Sequence, residues 1–207
     1  MGSGSLDYAA RAGANKISWA RLLRGAGLRI ISMSRYVGHF EIIPRDRRAR
    51  EAIRAIRCGS KLFKKAIKSG DTRKVDAVSS RAWDDLTKLF ETLRNERDYG
   101  YLDDVELSNV VGFLIEPATQ QQQSVMAAAR RIERTHVNCR PLKLGEALNK
   151  LGHFDSNLST YRVDRRGAHY LLLSGRRRTR HWVAEILVSR LCNEAASAAN
   201  AIRQFPR

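Results

Sequence analysis

The secondary structure of the C-terminal half depends on residues 158–187, which read LSTYRVDRRGAHYLLLSGRRRTRHWVAEIL. Residues 158–163 and 168–173 are apolar or β-prone, and Asp164-Arg165-Arg166-Gly167 joins them. This pattern predicts a β-hairpin with a four-residue loop. Beyond it, apolar side chains recur at helical spacing and predict one long amphipathic helix from about Arg178 to Phe205. That stripe consists of Val183, Ile186, Leu187, Leu191, Ala198, Ile202 and Phe205.

Working back from the hairpin, two helices are predicted between Pro44 and Gly100. Proline suits the first turn of a helix and glycine its end, so the first helix runs from Pro44 to Gly70. Asp71 or Thr72 can cap the second helix. The apolar stripe of the first is Ala49, Ile53, Ile56, Phe63 and Ile67, and that of the second is Val75, Val78, Ala82, Leu86, Leu89 and Leu93. The second stripe steps by three and four, which favours either a core helix or a coiled coil joining two copies through residues 75–93.

The remaining elements predict a mainly α fold, a helical domain with one β-hairpin near the C-terminus. Short helices are expected over Leu107–Leu114, over 125–132 and over Leu144–Leu151. This pattern divides the chain into three regions. They are a basic and partly disordered N-terminal segment (1–44), a basic helix followed by an acidic heptad-like helix (45–116), and a helix, hairpin and long helix with an arginine cluster (117–207).

The charge of the chain indicates an anionic partner. Its 207 residues include 38 Lys and Arg against 21 Asp and Glu, a net charge of +17, and 43% are hydrophobic, which is enough for a core. Self-repulsion on this scale opposes compaction, so a strongly basic domain usually binds a polyanion. Nucleic acid, an anionic membrane surface and an acidic protein are the candidates.

Motifs of the common enzyme classes are missing from the sequence. It has no phosphate-binding glycine loop, no GxSxG and no HExxH, and no two histidines lie four residues apart. The acid pairs Asp84-Asp85 and Asp103-Asp104 are adjacent, so their side chains point in different directions, and we expect solvated surface. The sequence therefore predicts a non-enzymatic protein without catalytic residues, metal or cofactor.

The cysteines indicate a reducing compartment. Cys58, Cys139 and Cys192 lie far apart and show neither disulfide-framework nor zinc-ligand spacing. The start of the chain has no signal-peptide core, which predicts a cytoplasmic rather than secreted protein. Its basic, acid-poor composition also fits a mitochondrial location.

The densest charge cluster of the chain is Arg176-Arg177-Arg178-Thr179-Arg180. The predicted elements place it where the hairpin meets the long helix. Exposed N–H groups at a helix start attract phosphate, yet the helix dipole disfavours arginine there, so four arginines indicate binding rather than folding. Trp182 then either stacks on an unpaired base or packs in the core. If the hairpin folds over the helix start, Arg165 and Arg166 join the same surface.

The helix over residues 45–68 carries the second set of basic candidates. Its polar side holds Arg54, Arg57, Lys61, Lys64, Lys65 and Lys68. A basic amphipathic helix binds RNA or an anionic membrane, or is a core helix with a charged outer face.

Residues 176–186, RRRTRHWVAEI, and 200–205, NAIRQF, carry a resemblance to a known family. They resemble the arginine-rich region of auxiliary replication proteins of small plant RNA viruses in the tombusvirus family. The resemblance implies RNA binding by the arginine cluster and recruitment of template to a membrane-bound replicase.

The sequence thus predicts an RNA-binding protein, either a viral replication factor or a ribonucleoprotein subunit. A membrane-associated, matrix-like protein that uses the same charge on anionic lipid is the first alternative. The second is a DNA-binding protein similar to a winged helix, with Leu144–Leu151 before the wing.

Overall fold

A computed structural model describes residues 44–203. The N-terminal segment expected over 1–44 lies almost wholly outside the described residues, as does Phe205. Within them, the first helix, α1, spans Asp46–Ser69 and the second, α2, spans Thr72–Asp98.

Both turn signals between α1 and α2 are confirmed. Gly70 has a φ of 67° and ends α1 in the left-handed conformation, which glycine adopts without penalty. The Asp71 carboxylate accepts the Lys74 backbone N–H at 3.0 Å and caps α2. The expected stripe of α1 is wrong at its end, because Ala66 is buried and Ile67 is 45% exposed.

The heptad-like stripe of α2 serves the core of this chain. Leu86, Leu89 and Leu93 are buried in one cluster with Ile53 and Ile56 of α1. The upper part of the stripe, at Val75 and Val78, is only partly buried.

The prediction of a mainly α fold with one hairpin is wrong, because a five-stranded antiparallel sheet forms the centre of the fold. Its strands are β1 (Val110–Ala118), β2 (Cys139–Lys143), β3 (Thr160–Val163), β4 (His169–Arg177) and β5 (Arg180–Leu187), in the order β2-β1-β5-β4-β3. Three further α-helices, α3 (Gln120–Ala129), α4 (Leu144–Leu151) and α5 (Val188–Ala201), and a short 3-10 helix (Asp104–Leu107) complete the described fold. The hairpin expected around residues 164–167 is confirmed as β3–β4.

Two segments predicted to be helical are strands. The expected short helix over 107–114 is mostly β1, and the first half of the expected helix from Arg178 is β5. In β5, Trp182, Ala184 and Ile186 face one core while Val183 faces the other. An apolar run that is buried on both faces fits helical and strand periodicity equally. The sequence pattern alone therefore did not distinguish a helix from a strand.

The sheet separates two apolar layers of unequal size. Helices α1, α2, α4 and α5 pack on one face and form the main core. On the opposite face, Met126 of α3 and Ile132 pack against Ile115, Leu172 and Val183. This second layer is small and leaves part of the sheet face in contact with solvent.

Residues 44–203 belong to one compact unit. The expected division at residue 117 falls inside β1, which pairs with β5 from the other side of that position. Among the helices of the described range, none combines the length and apolar composition needed to cross a bilayer.

Candidate functional site

The arginine cluster forms the tip of the β4–β5 hairpin. Arg177 pairs with Arg180, so Arg178 and Thr179 make a two-residue turn. The expected position at a helix start is wrong, because α5 begins only at Val188. The argument from the helix dipole therefore does not apply to these arginines.

The backbone of the turn is strained at Arg178. Its φ is 56°, in the left-handed region, which costs a non-glycine residue about 1–2 kcal/mol. The Arg176 Nε donates to the carbonyl oxygen of Arg178 at 2.6 Å and closes the turn. The turn therefore holds an arginine at a position where glycine would relieve the backbone strain.

A pocket of about 710 Å³ opens beside this tip. Arg176, Arg177 and Arg178 line one side, and residues of α2, α4 and the segment after α4 line the other. The full set of further lining residues is Arg94, Glu116 of β1, Glu146, Asn149, Lys150, His153, Phe154 and Trp182 of β5. We call Arg176, Arg177, Arg178 and Arg180 the tip cluster and this cavity the tip pocket.

The two carboxylates of the tip pocket are already paired. Glu116 accepts the Lys150 ammonium at 2.8 Å, and Glu146 accepts the Arg140 guanidinium at 2.5 Å. Between residues 44 and 203, no carboxylate lies within ion-pair distance of a tip-cluster arginine. All four of these arginines are exposed, so the tip carries an uncompensated positive charge.

Trp182 forms the buried base of the tip. It is 1% exposed, and the Lys150 ammonium lies 4.6 Å from the centre of its ring. A Cβ on Gly175 would lie 2.4 Å from that ring, so only glycine fits opposite it. Of the two roles predicted for Trp182, this geometry favours core packing, since stacking on a base needs an exposed ring face.

Gln123 of α3 fixes the tip from the other face of the sheet. It is 1% exposed, and its Nε2 donates to the carbonyl oxygens of Gly175 at 2.8 Å and Trp182 at 2.9 Å. Its Oε1 is 2.8 Å from Nδ1 of His181. Sequence reasoning missed this residue and saw only a polar tract. The Thr119–Gln122 capping box, which starts α3, was the available signal.

A second basic region lies where α1 meets the β3–β4 loop. Arg57, Lys61 and Lys64 line a pocket of about 270 Å³ that reaches Gly167 and the start of α5. Arg165 and Arg166 are exposed in the adjoining loop. We call these five residues the loop–helix surface. The other predicted residues of α1, Arg54, Lys65 and Lys68, are exposed along the same helix.

His169 lies beneath the loop–helix surface. Its Nδ1 is 3.0 Å from the Ser60 hydroxyl, and its ring stacks on Phe63 with centroids 4.6 Å apart. Burial, together with the smaller effect of the nearby Lys64 charge, lowers the pKa of His169 to about 4. The imidazole is therefore neutral at physiological pH.

The two basic regions do not form one surface, so the condition under which Arg165 and Arg166 would join the arginine cluster is not met. They lie at opposite ends of β4, which runs from His169 to Arg177. At about 3.3 Å per residue these ends are roughly 26 Å apart.

A different pair of arginines lies on the open face of the sheet. Glu185 is 2% exposed and accepts Arg162 at 2.9 Å and Arg134 at 3.1 Å. The Arg162 guanidinium covers the Tyr170 ring at 3.8 Å, and that of Arg134 covers the Phe113 ring at 4.3 Å. We call Glu185, Arg134 and Arg162 the sheet-face network.

The acid pairs are not all solvated surface as expected. Asp85 is 8% exposed and pairs with Lys88 at 3.5 Å, whereas Asp84 is exposed. Asp103 pairs with Arg203, which ties the loop after α2 to the end of α5.

The tip cluster, with its pocket, its buried support and its unpaired charge, is the best candidate for a functional site in the described residues. Comparison of the chain with protein-family models, with curated proteins and with solved structures finds no match.

Proposed function

We propose that the chain is a non-enzymatic RNA-binding protein that holds the phosphate backbone with the tip cluster. The observation that carries the proposal is the set of four exposed arginines at one hairpin tip, without a carboxylate partner in the described residues. Guanidinium groups donate to phosphate in pairs and stack on the planes of unpaired bases. The resemblance of residues 176–186 to replication proteins of RNA viruses points the same way.

The support of the tip favours recognition by a preformed surface. Gln123 and Trp182 hold the ends of β4 and β5 from opposite faces of the sheet, and the two-residue turn restricts the backbone between them. Binding to such a surface costs less ordering entropy than binding to a flexible arginine-rich tail. The tip pocket, at about 710 Å³, is large enough for a nucleotide-sized group.

The alternative of membrane binding through α1 is less well supported. A membrane-surface helix buries its apolar face in lipid, whereas Ile53, Ile56 and Phe63 are buried within the protein. Only Leu62 and Ile67 remain as exposed large apolar side chains on α1. The arrangement favours a charged outer face over a lipid-binding one.

The alternative of winged-helix DNA binding also fits the geometry less well. The helix that precedes the wing in this alternative, α4, packs its leucines into the core. Its Lys150 is held by Glu116, and Lys143 lies before its first residue. This helix offers little with which to read base edges.

The direct test replaces all four tip-cluster arginines with alanine. We expect affinity for single-stranded RNA, measured by fluorescence anisotropy, to fall at least tenfold, about 1.4 kcal/mol, while the melting temperature is retained. The matched control removes four ion-paired cations of the helical hairpin, in the variant R47A/R50A/K74A/R97A. Equal losses in the two variants would indicate a net-charge effect, and an unchanged affinity of the tip variant would refute the proposal.

Salt dependence tests the contact with phosphate. The logarithm of the binding constant should fall with the logarithm of salt concentration by about 0.7 per contacted phosphate for a single strand. The tip variant should show a shallower slope than the parent. An affinity independent of salt would exclude a polyanion ligand, and displacement of RNA by anionic vesicles would favour the membrane alternative.

A further inference from the structure

The described residues hold two basic surfaces, and the fold keeps them apart. The tip cluster lies at the end of β4 and the loop–helix surface at its beginning. The pockets beside them share no lining residue. The fold thus offers two separate places for an anionic ligand.

The loop–helix surface also carries an excess of positive charge, with five cations and, in its loop, the single carboxylate of Asp164. Within residues 44–203, none of its five cations forms an ion pair with a carboxylate. Arg57 is instead oriented by neutral groups, donating to the Cys192 carbonyl at 3.3 Å and to Asn193 Oδ1 at 3.0 Å. The nearest acid in the loop, Asp164, accepts the backbone N–H groups of Arg166 and Ala168.

The turn that Asp164 makes presents both loop arginines to solvent. Gly167, with a φ of 77°, lets the chain return into β4 and lines the same pocket as Lys61 and Lys64, which places the exposed loop arginines next to that pocket in the chain. On α1, Arg57, Lys61 and Lys64 succeed one another at spacings of four and three, which places them on one face of the helix. The surface therefore combines cations from two separate elements.

The separation of the two surfaces exceeds the range of electrostatic coupling. They are roughly 26 Å apart along β4, whereas charges in physiological salt are screened over about 8 Å. On the helical face between them, Leu171 and Leu173 of β4 are buried. On the other face, Arg162 of the neighbouring strand β3 is held by Glu185. A phosphate bound at one surface thus neither neutralises nor blocks the other.

We infer that one chain binds two RNA segments at once, one at the tip cluster and one at the loop–helix surface, and so bridges separate strands. This bridging rests on the proposed function, because it requires that the tip cluster binds RNA. A molecule with one binding surface only coats RNA, whereas this arrangement brings two strands within a few tens of ångströms of each other. The resulting activity is the joining or compaction of RNA.

The experiment uses two non-complementary single-stranded RNAs of about six nucleotides, within the site size of small single-strand binders, with a donor dye on one and an acceptor on the other. The full chain should produce energy transfer between them, with two RNAs bound per chain. The tip variant R176A/R177A/R178A/R180A and the loop–helix variant K61Q/K64Q/R165Q/R166Q should each bind one RNA and give no energy transfer. An equal mixture of the two variants should not restore it.

The outcomes separate bridging from RNA binding as such. One bound RNA per chain without energy transfer would overturn bridging and leave RNA binding intact. Energy transfer that persists in the loop–helix variant, or returns in the mixture, would also overturn it, because two copies would then be joining the strands. No RNA binding by the parent would refute the proposed function itself. Sedimentation velocity on each variant shows whether it remains folded and in the same oligomeric state.

Discussion

The tip cluster and the sheet-face network use the same side chain for opposite purposes. At the tip, four arginines are exposed and have no carboxylate partner among the described residues. On the sheet face, Arg134 and Arg162 bind Glu185 and cover the rings of Phe113 and Tyr170. One buried carboxylate makes the difference, because it converts two guanidinium groups from free cations into parts of the fold.

The comparison also separates two kinds of energetic cost. Glu185 is almost fully buried, and a buried carboxylate without partners is strongly unfavourable. Exposed arginines are solvated by water, so removing a neighbouring side chain changes the free energy of unfolding little. Removal of arginines should therefore affect stability on the sheet face and binding at the tip.

The largest effect is expected from R134M/R162M, which keeps the apolar stems over both rings and removes both charges. Glu185 then retains one close donor, the Ile132 N–H at 3.4 Å. We expect the free energy of unfolding at neutral pH to fall by about 3–5 kcal/mol, measured by urea denaturation. A smaller decrease in the free energy of unfolding than in the tip variant would contradict the distinction between the two regions.

The next effect concerns the dependence of folding stability on pH. The pKa of His169 is about 4 in the folded protein, below the ordinary value near 6.5, so the folded state resists protonation. Its contribution to stability is complete above pH 6.5 and is lost as pH falls towards 4, on the order of 3 kcal/mol.

The control for this prediction is His169→Gln, which keeps a polar partner for the Ser60 hydroxyl. Its stability should depend less on pH between 6.5 and 4 than that of the parent. An equally steep pH dependence in the variant would assign the effect to another group.

The smallest effect is expected from Arg178→Gly, which relieves the left-handed backbone at φ 56°. We expect a gain of about 0.5–1 kcal/mol in stability, because glycine adopts this conformation freely but loses more entropy on folding. RNA affinity should fall about twofold, as one of four phosphate donors is lost. A loss of stability would show that the Arg178 side chain supports the turn, which would weaken the contrast between the tip and the sheet face.

The sequence by itself determined the local features. Gly70 and Asp71 mark the α1–α2 turn because glycine tolerates positive φ and aspartate caps a helix, and both effects act within a few residues. The β3–β4 hairpin and the apolar stripe of α1, apart from Ile67, arise in the same way. The density of charge along the sequence also indicated the cations at residues 165–166 and 176–180. The described fold leaves these cations without carboxylate partners.

Tertiary structure decided the rest. Residues 110–118 and 180–187 became strands because layers on both faces of the sheet bury them, a condition that periodicity cannot express. Arg134 and Arg162 became structural because the fold brings Glu185 to them from 51 and 23 residues away. The same pairing of β4 with β3 and β5 set the two basic surfaces at opposite ends of one strand, since distance in space depends on strand register, whereas charge density along the chain does not.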